Sequence, residues 1–485
     1  MLRWVILFSV VTVLFAHATA AADSAEDLFD RAVAAENSGD LDAASELYGK
    51  AAELDPHNAA IFNNRGVVYA KQKKYQPAID EFSRAIRLNP EDAGALSNRG
   101  MAYLEIGDRE RSLDDFNSAL EIDPEHLGAL YNRAVLHSKT NNPAGAYADL
   151  RILLRLDERH AKAHVLRGKL YLADGVADKA QQAFSVALRN SPESVDAWSG
   201  SGDSHFMRGQ FKNAVKAYTE ALKLRRNDPK ILGNRCSGYI RAGEYESAIR
   251  DCEQALSLEP NAPETCYHLG IACSGANDDL RAVDAFSRAI GLAGNRAEYF
   301  YNRGISFKKL GDDDKALADF SKALELDPAN SDAYNNRGTV YWGKGDLRQA
   351  ADDFHTAIEK NAKNSAAYKN LSGMALSAND PETAIRVLET ALKHFPKDPD
   401  LLTAMGDAWV ERKRGDKGLA YYKKALERAA SPEQKYRIYA RTGLALETTG
   451  SPAKALPSYE KALEFATSPG EKERLTKKID ELKAK

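Results

Sequence analysis

Surplus charge of either sign is missing from this chain: 67 lysines and arginines stand against 70 aspartates and glutamates, a formal net charge of −3 over 485 residues. Non-specific binding to nucleic acid or anionic lipid needs concentrated positive charge, and this balance does not supply it. Cysteine is scarce as well. The four cysteines, Cys236, Cys252, Cys266 and Cys273, contain no C-x-x-C pair, which argues against a thiolate metal site. No P-loop, dinucleotide-binding glycine pattern, serine-nucleophile elbow or zinc-protease helix occurs, and the His-Pro-Asp triplet of a J domain is missing. No enzyme activity and no cofactor are expected.

Long apolar runs are also lacking, with one exception at the start. Arg3 precedes an uncharged stretch from Val5 to Phe15, followed by the small residues of Ala16-His17-Ala18-Thr19-Ala20-Ala21-Ala22. A short apolar run closed by A-x-A spacing predicts a secretory signal over residues 1–22 and hence a secreted or periplasmic protein. A bilayer-spanning helix needs about 20 apolar residues, so an uncleaved membrane anchor is the weaker alternative. The first cysteine is Cys236, so a lipid-modified cysteine directly after the run is excluded. No later stretch is apolar enough to span a membrane.

What the chain does contain is repetition. Ala59-Ala60-Ile61-Phe62-Asn63-Asn64-Arg65-Gly66 is echoed by Ser331-Asp332-Ala333-Tyr334-Asn335-Asn336-Arg337-Gly338. Small residues recur at Gly66, Gly100, Ala134, Gly168, Gly202, Cys236, Gly270, Gly304, Gly338, Ser372 and Gly406, a step of 34 each time. A bulky column follows 16 residues behind, including Phe82, Phe116, Leu150, Phe184, Tyr218, Cys252 and Phe286, flanked by alanine columns such as Ala78 and Ala85. Apolar spacing of three to four residues predicts two amphipathic helices per unit. Small residues let the helix backbones approach, and the large side chain fills the groove between them. Pairs such as Gly107-Asp108 end the first helix, and Leu326-Asp327-Pro328 ends the second. A single hairpin cannot bury its apolar face alone, so each must stack on its neighbours.

These columns resemble the tetratricopeptide repeat, with its 34-residue period, its small-bulky-small hairpin and its closing proline. The resemblance covers twelve units over 25–432, a three-residue insertion (Glu433-Gln434-Lys435), a thirteenth unit at 436–469 and a capping helix at 470–485. It implies an all-α, right-handed superhelical solenoid whose inner wall is lined mainly by first helices. The function it implies is a non-enzymatic scaffold or adaptor that holds protein partners or extended peptide segments. A periplasmic or lumenal co-chaperone for unfolded clients is the alternative, and self-association through the exposed solenoid ends is open.

The units can also be compared with one another. Eight carry Arg before the small residue, and in six of these the residue 16 positions on is acidic. The pairs are Arg65 with Glu81, Arg99 with Asp115, Arg133 with Asp149, Arg235 with Asp251, Arg303 with Asp319 and Arg337 with Asp353. They are read as structural ion pairs within a hairpin; Arg31 and Arg167 face Leu47 and Ala183 and are exceptions. Two positions before the small residue, Asn64, Asn98 and Asn132, then Asn302, Asn336 and Asn370, form two asparagine ladders. Asparagine both donates and accepts, so a ladder can satisfy the backbone of an extended peptide. It can equally bond the preceding hairpin and fix stacking. Tyr301 and Trp342 offer aromatic contacts on the same wall. All four cysteines fall at core columns; buried thiols are one reading and a Cys236–Cys252 disulfide another.

Overall fold

The computed structural model describes residues 23–484, so the expected signal at 1–22 lies outside the described residues. Those residues form 27 α-helices and no strand. The chain divides into two compact units, one ending at Leu224 and the other beginning at Arg225. The described part of the first holds six hairpins, from Ala25–Ser38 with Leu41–Leu54 to Val195–Met207 with Phe211–Leu224. The second holds seven, from Pro229–Ala242 with Tyr245–Leu258 to Pro432–Thr448 with Pro452–Phe465, and then a single helix, Pro469–Lys483. Within each unit a helix packs on the next in sequence, and most first helices also pack on the first helix one hairpin further on.

Local chemistry sets the helix ends. Asp108 and Asn330 cap their helices by accepting the backbone N–H of Arg111 at 3.1 Å and Ala333 at 2.9 Å. First helices close on a left-handed residue, which is glycine at Gly39 (φ +85°) and Gly345 (φ +86°) and asparagine at Asn141 (φ +57°) and Asn379 (φ +58°). The aspartate-proline triplets fall in the turns between hairpins.

The core of each unit is a line of contacts between the small and the bulky column. A Cβ added at Gly66 would lie 2.6 Å from the Phe82 ring, so only glycine admits the aromatic there. Across the repeats the two columns vary together. Glycine faces Phe or Tyr, whereas Ala134 and Ser372 face the slimmer Leu150 and Leu388; Ala32 opposite Tyr48 departs from this rule. Volume at the helix crossing is thus held roughly constant, as close packing requires. In one hairpin Cys236 and Cys252 occupy both columns and are joined by a disulfide, Cα to Cα 5.7 Å.

One sequence boundary needs correction. The three extra residues 433–435, which carry the small column from Gly406 to Gly443, lie inside the thirteenth hairpin's first helix and not in a loop ahead of it. They are the first turn of Pro432–Thr448, whose Ser431 accepts from the Gln434 N–H while Gln434 returns a bond to the Ser431 N–H. That reciprocal cap, with proline at the first helical position, starts the helix a turn early. The closing helix buries Leu475 and Ile479 against Tyr459 and Ala462 and keeps its lysines and glutamates outward.

Candidate functional site

The ladder asparagines sit half-buried on first helices, and their amides reach back one hairpin. Asn98 donates to Asn63 Oδ1 at 3.1 Å, Asn132 to Ser97 Oγ at 3.3 Å and Asn370 to Asn335 Oδ1 at 2.8 Å. Asn302 donates to the Tyr267 hydroxyl at 3.0 Å and to the Glu298 carbonyl at 2.8 Å. Asn336 repeats this with the Tyr301 hydroxyl and the Asp332 carbonyl, both at 3.0 Å. Asn64 has Phe29 where an acceptor would be, and its Oδ1 accepts from Asn63 Nδ2 at 3.4 Å. In five ladder residues one amide N–H therefore serves stacking, and in Asn302 and Asn336 the other bonds a carbonyl of their own helix. Among the described residues no N–H donates to the Oδ1 of Asn302, Asn336 or Asn370, so Asn302 and Asn336 keep an acceptor alone, and Asn370 keeps an acceptor and one N–H.

Of the residues that receive these amides, the sequence points only to Tyr301, and as a peptide contact, although a signal for all of them exists. Asn63, Ser97, Tyr267, Tyr301 and Asn335 all stand immediately before the small-residue motif's asparagine position, and every one can accept a hydrogen bond. Tyr301 is thus a stacking partner of Asn336, and burial holds its phenol above the usual range. Trp342 lies half-buried, edge-on to Phe354 at 6.4 Å.

The six arginine–carboxylate pairs all form. Five are two-pronged: Arg99, Arg133, Arg235, Arg303 and Arg337 place Nε and Nη2 on the two oxygens of Asp115, Asp149, Asp251, Asp319 and Asp353 at 2.6–3.0 Å. Arg65 meets the longer Glu81 through Nη2 alone, which leaves Arg65 Nε and Glu81 Oε2 buried without partners. The structure adds a third member to the group. Nη1 of Arg99, Arg133, Arg303 and Arg337 donates to Ser83, Asn117, Ser287 and Ser321, 16 residues before each arginine and on the preceding hairpin's second helix. Each guanidinium therefore ties three helices, not two.

Family models described as tetratricopeptide repeat match residues 29–93, 131–192, 166–229 and 335–399, and others match 93–126, 239–262 and 375–441. A further TPR repeat model matches 306–345. Together they run over most of the chain.

The chain is a tetratricopeptide-repeat protein.

Among solved structures, MamA is 30% identical over 34% of this chain and 96% of its own length, with a TM-score of 0.32. Yeast Tom70 is 17% identical, covering 95% of this chain and 96% of its own, with a TM-score of 0.45. For the Cut9-Hcn1 hetero-tetramer of APC/C the values are 14%, 94%, 96% and 0.43. A tetratricopeptide-repeat stack is consistent with a protein–protein interaction scaffold. Several described histidines of this repeat protein take structural partners. His160 caps a helix by accepting the Ala163 N–H at 3.1 Å, and His205 bonds Gln210 at 2.8 Å. Cys266 and Cys273 are buried free thiols, and burial pushes the Cys273 thiol up to about 11, far from the thiolate form that reacts or binds metal. No described helix is long and apolar enough to cross a membrane.

Proposed function

We propose that this tetratricopeptide-repeat protein is a non-enzymatic docking scaffold that receives extended peptide segments along its first helices, with Asn302, Asn336 and Asn370 accepting peptide N–H groups. The observation that supports this reading is the divided use of each amide. One N–H bonds the preceding hairpin, which fixes the side chain, and the oxygen is left as an acceptor already held in place. Fixing a side chain before binding lowers the entropic cost of the complex. Asn98 and Asn132, whose amides also reach the preceding hairpin, form the corresponding pair in the first unit.

The two roles of the amide are separable by mutation. Tyr267→Phe with Tyr301→Phe removes the stacking acceptors and keeps the asparagine oxygens; it should lower stability and spare partner recovery. Asn302→Ala, Asn336→Ala and Asn370→Ala together should abolish recovery of a specific partner in a pull-down read by mass spectrometry. Equal recovery by that triple variant would refute the reading. Export fits the same proposal: the apolar N-terminal segment and a disulfide-bonded hairpin both suit an oxidising compartment. Intact-mass analysis of the mature protein, showing loss of residues 1–22, tests it.

A further inference from the structure

Arg167 stands at the repeat position where five sibling arginines hold an aspartate through a two-pronged bond, and both of its customary acceptors are gone. The carboxylate column carries Ala183, and the position 16 residues earlier, where Ser83, Asn117, Ser287 and Ser321 accept from Nη1, carries Arg151. Its Nη2 donates to His164 Nδ1 at 3.0 Å, and the other ring nitrogen of His164 bonds the Glu158 carbonyl at 2.8 Å. The histidine is thereby set in the neutral tautomer that accepts from arginine, and burial holds it below its usual range. The Nε of Arg167 is buried with no hydrogen-bond partner.

The same guanidinium lines a cavity of about 650 Å³ together with Tyr147, Arg151, Arg155, Tyr171 and Lys179. Among the described residues none of these four cations makes an ion pair. One carboxylate, Asp174, also lines the cavity, and it accepts the Tyr147 hydroxyl at 2.7 Å. Tyr147 and Tyr171 lie with ring centroids 5.3 Å apart, and the Lys179 ammonium sits 5.7 Å from the Tyr171 ring. In a chain whose net charge is close to zero, four cations without an acidic partner gather around one cavity, and one of them carries an orphaned buried donor.

We propose that this cavity binds the carboxylate side chains of an acidic peptide segment from a partner protein, with Arg167 as the central contact and Arg151, Arg155 and Lys179 around it. Carboxylate is the chemistry the position already accepts elsewhere in the chain, where Nε and Nη2 of Arg133 hold Asp149; here His164 takes Nη2, Nε is buried, and no internal acid stands opposite. The tyrosine faces would cover the aliphatic part of a glutamate. This deepens the docking proposal and rests on it only in taking the occupant to be polypeptide; the residues and the unit are different.

The test restores the pattern of the sibling repeats. Ala183→Asp returns an internal carboxylate to Arg167, and Arg151→Ser returns the hydroxyl, both residues that the same fold already accommodates at those columns. Fluorescence anisotropy with a labelled oligoglutamate peptide should show binding by the unaltered chain that weakens with salt, and none by oligoglutamine. The A183D/R151S variant should lose about tenfold or more in affinity, the scale of a lost charge-assisted bond. Arg155→Gln with Lys179→Gln, on exposed side chains, should weaken it in the same direction and guards against a folding artefact. The Asn302, Asn336 and Asn370 alanine variant should bind oligoglutamate unchanged, so the two proposals fail separately. Equal binding by A183D/R151S, or by oligoglutamine, would overturn the assignment. A phosphoserine peptide of matched charge that displaces oligoglutamate at far lower concentration would overturn the choice of carboxylate.

Discussion

Removing Asp319 alone should damage the protein more than removing Asp319 and Arg303 together. Arg303 places Nε 2.7 Å and Nη2 2.8 Å from the two Asp319 oxygens, and Nη1 3.0 Å from Ser287. Its guanidinium also lies 5.7 Å from the rings of both Phe300 and Phe307. The side chains are 20% and 7% exposed, so Asp319→Ala strands a mostly buried cation among aromatic neighbours. Stranding a buried charge costs about 3–5 kcal/mol, and the residual solvent at Arg303 reduces this to about 2–3 kcal/mol. In the Arg303→Leu/Asp319→Leu double variant neither charge remains, and two apolar side chains occupy a site between helices. That change should lie within about 1 kcal/mol of the parent, since apolar replacements of buried pairs are often neutral and only the Ser287 bond is lost. A repeat array need not unfold in one step, so the readout should be local. Hydrogen exchange by mass spectrometry over Ala297–Lys309 and Asp313–Leu326 should accelerate roughly 30- to 150-fold in the single variant, by the conversion of about 1.4 kcal/mol per decade. Equal acceleration in single and double variants would refute the view that an unpaired charge, and not the pair's own attraction, dominates the cost.

Three more outcomes are expected. Gly66→Ala sets a methyl 2.6 Å from the Phe82 ring and should cost about 1–3 kcal/mol, whereas adding Phe82→Leu should recover much of it, as the Ala134–Leu150 hairpin does; urea unfolding followed by circular dichroism checks both. Burial lowers the pKa of His164, so the unfolded chain takes up its proton first; stability contributed by the neutral ring is complete above the ordinary histidine pKa of about 6.5 and is lost as pH falls below it. Protection factors over Ala161–Ala173, with the base-catalysed intrinsic rate divided out, should accordingly fall between about pH 7 and 5, and His164→Gln should flatten that response. Thiol titration of the denatured chain should find two reactive cysteines without reductant, Cys266 and Cys273, and four with it; four in both cases would contradict the Cys236–Cys252 bond.

The ion pairs were legible because charge complementarity repeats at a fixed offset, and a pair that recurs six times leaves a pattern that single sites do not. Their third partner is not legible in the sequence, since Ser83, Asn117, Ser287 and Ser321 are ordinary helix-surface types and gain meaning only from the neighbouring hairpin. The ladder asparagines were found as a column, but sequence left peptide contact and stacking open. The structure divides the amide between them, because Tyr267, Tyr301 and Asn335 come within hydrogen-bond distance only when one hairpin lies on the next. The three extra residues at 433–435 are legible from the 34-residue count, whereas their place within a helix follows from Ser431 and Pro432, which start that helix a turn early.

Sequence alone determined that paired helices repeat and which face of each is buried, since a period of 34 with small and large residues at fixed offsets admits few other packings. It also determined that Arg167 lacks the acid its siblings have. Only the tertiary structure decided that Arg151, Arg155 and Lys179 gather around that same arginine, and that its Nε is left buried and unbonded. Those side chains come from three helices, and the distances between them are fixed by how hairpins stack, a quantity no single stretch of sequence encodes.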